Sequence, residues 1–150
     1  MKKITLMLFT VLILCAGHAV AQTTLSEADK TGIKETALDY AEGWYEGNAE
    51  RMERALHPDL AKRIARKDDK GNSRLENMSA MTLVQVTRRG FGKQTPKEQQ
   101  QKDVTILDAM ENSAVVKLVM RDWVDYMQMA KINNRWVIVN VLWEMKPQKS

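Results

Sequence analysis

The chain has 150 residues, with 23 Lys and Arg against 19 Asp and Glu, for a formal charge of +4. That length supports one domain with a real core and is too short for two. One cysteine and two histidines exclude disulfide scaffolds, thiolate zinc sites and His-rich metal motifs, and no P-loop, GxSxG or GxGxxG pattern occurs.

Residues 1–21 read as a cleaved export signal. Lys2 and Lys3 precede an apolar run from Ile4 to Ala16, and Ala19-Val20-Ala21 supplies the small-x-small cleavage pattern. The run falls short of the roughly 20 residues that span a bilayer, so the expected location is a bacterial periplasm or the exterior. Cleavage leaves 129 residues at a formal charge of +2 and removes Cys15 and His18, so His57 becomes the sole imidazole. This mild charge does not point to nucleic acid, and no metal or cofactor is implied. Any catalysis must draw on carboxylates, His57, tyrosines or water. Residues 22–25 form a tether, residues 26–146 the single domain and residues 147–150 a tail.

Ser26 with Asp29 reads as a helix start. Ile33, Ala37, Tyr40, Ala41 and Trp44 then recur at helical spacing as a buried stripe. Gly47-Asn48 ends this helix, and Asn48 caps a second one carrying Met52, Ala55 and Leu56 that Pro58 stops. Ala61 to Asn77, centred on Asp69-Lys70-Gly71-Asn72, reads as an exposed hairpin, with Lys62-Arg63-Ile64-Ala65-Arg66-Lys67 as its solvated side. Ser79 caps a third helix with Leu83 and Val84 on its apolar face and Gly90 as its stop; Gly90 to Lys102 is a loop.

The rest reads as strand: Val104 to Ala109, Ala114 to Arg121, Trp123 to Lys131 and Arg135 to Met145. Asn133-Asn134 is the tight turn before the last of these. Helices first and an antiparallel meander last predict an α+β domain with helices packed on one face of a curved sheet. Alternation in the final strand puts Trp136, Ile138 and Asn140 on one face and Val137, Val139, Val141 and Trp143 on the other. An uninterrupted apolar row opposite the helices calls for cover. The expected cover is a second copy, in a homodimer formed sheet to sheet through Val137, Val139, Val141 and Trp143.

Tyr40-Ala-Glu-Gly-Trp44-Tyr-Glu-Gly47-Asn48-Ala-Glu-Arg-Met52, running into Leu56-His57-Pro58-Asp59, resembles the first helix pair of the nuclear-transport-factor-2-like superfamily. The closest branch is the SnoaL-like, Putative lumazine-binding group. Trp123-Val-Asp125-Tyr126 and Lys131-Ile-Asn-Asn-Arg135-Trp136-Val-Ile-Val-Asn140-Val-Leu-Trp143 match at the other end. The resemblance implies a cystatin-like cone, in which a strongly curved antiparallel sheet wraps around N-terminal helices. It also implies a cavity at the open end and a dimer. Members include isomerases, cyclases, dehydratases and plain binding subunits, so the fold leaves function open.

Within that cone Asp125 lies in the more apolar row of its strand, Trp123-Asp125-Met127-Met129. A carboxylate facing an apolar cavity has the raised pKa a general base needs; alternatively Asp125 pairs with a basic residue. His57 either contacts a ligand, oriented by Asp59, or satisfies the last carbonyls of its helix. Tyr40, Trp44, Trp123 and Trp136 either sandwich a flat ring whose edge Asn140 binds, or fill the core without a gap. The expected ligand lining is Tyr40, Trp44, His57, Trp123, Asp125, Trp136 and Asn140. The expected function is an exported protein that holds a small, flat molecule in an apolar cavity. An isomerase, cyclase or dehydratase working through Asp125 and His57 is the first alternative, and a scaffold using its apolar sheet face is the second.

Overall fold

The computed structural model describes residues 25–147; the expected export signal, most of the expected tether and residues 148–150 lie outside them. Helix α1 (Glu27–Glu46) starts where the Ser26 side chain accepts a hydrogen bond from the Asp29 N–H and ends at Gly47, whose φ of +65° is left-handed. Asn48 then caps α2 (Ala49–Ala55) through the Arg51 N–H at 3.0 Å. The two helices touch at Gly43, where a Cβ would come within 2.9 Å of the Met52 nitrogen. The predicted stripe Ile33, Ala37, Tyr40 and Ala41 is buried, with Trp44 half-buried at its end.

Strands β1 (Leu56–Lys67) and β2 (Ser73–Ser79) form a hairpin, followed by α3 (Ala80–Arg88), capped by Ser79. After two short 3₁₀ turns come β3 (Lys102–Ala109), β4 (Ser113–Met120), β5 (Trp123–Ile132) and β6 (Arg135–Met145). Asn133 and Asn134 turn β5 into β6 with φ of 51° and 60°, the left-handed pair that a two-residue hairpin demands. The sheet order is β2-β1-β6-β5-β4-β3, with every neighbour antiparallel except β1 and β6. Among the described residues the architecture is therefore α+β, three helices on a curved, unclosed, mixed sheet, with the core between α1 and the inner sheet face.

Four expectations change. The second helix stops at Ala55, and Leu56-His57-Pro58 opens β1; the pairing with β6 is irregular between Leu56 and Ala61, which accommodates a proline without a ladder N–H. The hairpin from Ala61 is exposed along β2, the edge strand, but not along β1, which sits inside the sheet between β2 and β6 and buries Leu60, Lys62 and Ile64. The sheet is mixed, because the meander returns its last strand parallel to β1. Finally, β6 carries a bulge: Gln128 pairs with Asn140 but Met129 pairs with Ile138, leaving Val139 unmatched. One extra residue reverses the facing of everything beyond it.

Trp136 and Ile138 therefore face the core, and so do Val141 and Trp143, while Asn140 and Leu142 face outward. The predicted outer row is thus split: Val137 and Val139 keep the outer phase, Val137 buried and Val139 half-buried, while Val141 and Trp143 are inside. Leu142, Tyr126 and Val115 take their places on the exposed outer face.

Candidate functional site

Strand phase brings four chemically distinct side chains to one spot. Asp125 lies on the inner row of β5, opposite Trp143 of β6. Lys62 lies on the inner row of β1, opposite Val141. Tyr40 comes down from α1. Asp125 is 0% exposed and Lys62 5%, so the pair is removed from water almost entirely. Lys62 Nζ donates to Asp125 Oδ1 and, at 2.7 Å, to the Tyr40 hydroxyl. That hydroxyl leans toward the same carboxylate oxygen at 3.5 Å, and Trp123 Nε1–H donates to Asp125 Oδ2 at 2.8 Å. Both carboxylate oxygens are thus occupied, and a buried ion pair gains from such additional bonds.

Burial pushes the Lys62 ammonium below the usual lysine range, against the attraction and hydrogen bond of Asp125 that pull it up. Burial, and then the negative charge of Asp125, push the Tyr40 hydroxyl well above the ordinary tyrosine range. The Trp143 ring lies 4.7 Å from Lys62 Nζ and holds the Arg66 guanidinium at 5.6 Å. These are cation–π distances.

Above this polar floor is a partly open cavity of about 180 Å³, lined by Tyr40, Trp44, Lys62, Trp123, Trp143 and Met145 among others. The indoles meet edge to face: Trp44 and Trp123 at 5.6 Å, Trp123 and Trp143 at 6.2 Å. They make a continuous aromatic wall rather than two faces opposed across a gap. Trp44 is held in place from behind by Gly92, where a Cβ would sit 2.1 Å from the Trp44 carbonyl oxygen. Only glycine permits that approach.

Of the residues predicted to line a site, Tyr40, Trp44, Trp123 and Asp125 come together here. Trp136 does not. Its indole N–H donates to Asp29 at 3.0 Å beside the start of α1, in a separate surface hollow with Gly32 and Lys131. His57 lies on β1 and not at a helix end; its Nδ1 accepts the Asp59 N–H at 3.2 Å, closing a local turn around Pro58. Asn140 is on the outer face, donating to Gln128 at 3.1 Å, because the bulge precedes it.

Two residues of the constellation were not anticipated. Unbroken alternation places Trp143 outward, whereas the bulge turns it inward. Lys62 was read with the solvated charges around it, although Leu60-Lys62-Ile64 alternates at the strand period with apolar neighbours, and all three are buried. The buried carboxylate at Asp125 was the other signal, since such a group calls for a cation.

The family described as Putative lumazine-binding matches residues 28–144. Among solved structures, the chain is similar to an NTF2-like protein of unknown function from Shewanella baltica OS155, with a TM-score of 0.64 and 17% identity over 83% of this chain and 99% of that one. It is similar also to an NTF2-like protein of unknown function from Methylobacillus flagellatus KT, at 0.61 and 19% over 83% and 97%. A protein with a cystatin-like fold from Nostoc punctiforme PCC 73102 gives 0.55 and 16% over 82% and 95%. At these identities the likeness establishes the fold alone. No curated protein matches the chain.

Proposed function

The chain belongs to the family described as Putative lumazine-binding, and on that premise we propose that its inner cavity holds one small, flat, heteroaromatic molecule bearing carbonyl oxygens. The observation that carries this reading is the cavity itself: an aromatic wall of Trp44, Trp123 and Trp143 standing over a buried Lys62 amine. Mostly apolar walls with one or two placed polar groups are what small-molecule sites require. At about 180 Å³ the space is below the roughly 300–1,000 Å³ of pockets for drug-sized ligands. It therefore selects one or two fused rings and excludes a dinucleotide.

The Lys62–Asp125 pair is neutral overall, which favours an uncharged ring over a strong anion. Lumazine, a fused ring system with carbonyl acceptors, has this chemistry and is the probe of choice. Titration calorimetry should give one saturable site for lumazine, with affinity at least about tenfold weaker in Trp143→Ala, equivalent to about 1.4 kcal/mol. Equal heats in wild type and variant would overturn the assignment.

The reading includes export and self-association. The basic and apolar opening of residues 1–21 supports passage across a membrane. The exposed outer row Tyr126, Leu142 and Val115, with the half-buried Val139 beside it, supports a sheet-to-sheet homodimer on the face opposite the cavity; Val137 is already buried within the chain and takes no part. In this revised surface Val141 and Trp143 take no part, since they belong to the inner face.

A further inference from the structure

Lys62 is more than the proposed binding role needs. A hydrogen-bond donor to a ring carbonyl could be any hydroxyl or amide; a lysine only 5% exposed beside an apolar cavity is unusual. Three features surround its Nζ. Asp125 is a carboxylate in direct contact and can receive a proton from the ammonium. The Tyr40 hydroxyl sits 2.7 Å away and bridges toward that carboxylate, so a proton can pass between amine, hydroxyl and carboxyl within one hydrogen-bonded set. Finally, Lys62 is among the residues lining the cavity, and its Nζ lies 4.7 Å from the ring of Trp143 in the same wall.

We propose that Lys62 Nζ is a nucleophile that condenses reversibly with a small aromatic aldehyde or ketone entering the cavity. The inference rests on the same cavity being the binding site. Asp125 first accepts the ammonium proton, freeing the amine lone pair. That pair attacks the carbonyl carbon, a C–N bond forms, and the C=O π pair moves to oxygen. The oxygen collects two protons that began on nitrogen, relayed through Tyr40 and Asp125, and leaves as water. The net change is carbonyl plus amine to imine plus water, with no oxidant or reductant. Desolvation in an apolar pocket is one of the ways a lysine becomes a competent nucleophile, and burial lowers the Lys62 pKa in that sense. The aromatic wall selects aryl carbonyl compounds over short aliphatic ones.

The test is reductive trapping on the folded protein. Benzaldehyde and cyanoborohydride at neutral pH should place a single benzyl group on Lys62, mapped by peptide mass spectrometry. Labelling should be roughly tenfold or more ahead of exposed lysines such as Lys34 and Lys67, as expected for a desolvated amine. The preference should vanish in urea, and Lys62→Arg should lose the internal label. Mapping of the wild-type protein decides the matter whether or not that variant folds. Labels spread over surface lysines with Lys62 untouched, while lumazine still binds in calorimetry, overturn the imine and leave the binding site standing. Absence of both overturns the two readings together.

Discussion

Removing the Lys62 side chain should be far more destabilising than breaking an ordinary ion pair. In Lys62→Met the fully buried Asp125 keeps only the Trp123 indole N–H at 2.8 Å and the Tyr40 hydroxyl at 3.5 Å. Breaking a buried pair from one side is worth about 3–5 kcal/mol, against about 1 kcal/mol or less for an exposed pair. Total stability for a domain of this kind is about 5–15 kcal/mol, so the variant sits near the edge of folding. The double variant Lys62→Met/Asp125→Leu restores an apolar interior and should return to within about 1 kcal/mol of the parent, or exceed it. Urea unfolding followed by tryptophan emission measures the parent, Lys62→Met, Asp125→Leu and the double variant. With a slope of about 1–3 kcal/mol per molar, the single variant's midpoint should fall by about 1 M or more. Single variants within about 1 kcal/mol of the parent, or a double variant equal to the sum of its singles, would refute the buried-pair reasoning.

Three further outcomes follow from other parts of the molecule. Hydrogen bonds from Lys131, Ser26 and Trp136 hold the Asp29 carboxyl at about 2, below its ordinary 3.8. Its stabilising contribution is therefore complete above the ordinary value and disappears as pH falls through about 2, so thermal melts across that range should be steeper in the parent than in Asp29→Asn. Gly92→Ala forces a Cβ against the Trp44 carbonyl and should cost about 1–3 kcal/mol in chemical denaturation, as overpacking does. Leu142→Arg, on the exposed outer face, should convert the proposed homodimer to a monomer in sedimentation equilibrium while leaving lumazine binding intact; loss of binding there would place the ligand on the wrong face.

The parts of the fold that were legible in the sequence are those with an uninterrupted period. The α1 stripe, the Ser26, Asn48 and Ser79 caps and the Asn133-Asn134 turn are all local signals, and each is where the pattern put it. The bulge at Val139 has no such signal. Val137 through Leu142 is apolar on both faces except at Asn140, so slipping the phase by one changes no hydrophobic pattern. Only the cross-strand partner Gln128, distant in sequence, fixes the register. This one residue moved Asn140 out of the site and Trp143 into it.

Lys62 is hidden in the sequence for a different reason. Its neighbours Arg63, Arg66 and Lys67 make the segment look solvated and mask the Leu60-Lys62-Ile64 alternation, while the place of β1 inside the sheet beside β6 is set by pairing distant in sequence. Long-range parallel pairing leaves no mark on the segment it recruits. Asp125 was legible because a lone carboxylate in an apolar row has few explanations, and the structure supplies the cation that the row by itself could not name.

The claim that binding occurs in the inner cavity can be read from the four indole N–H resonances in a lumazine titration followed by nitrogen–proton correlation spectroscopy. Trp44, Trp123 and Trp143 line that cavity, whereas Trp136 reports on the separate hollow beside Asp29. Saturable shifts at the first three with Trp136 stationary are the predicted result. Movement of Trp136 alone, or of none of the four, would contradict the account.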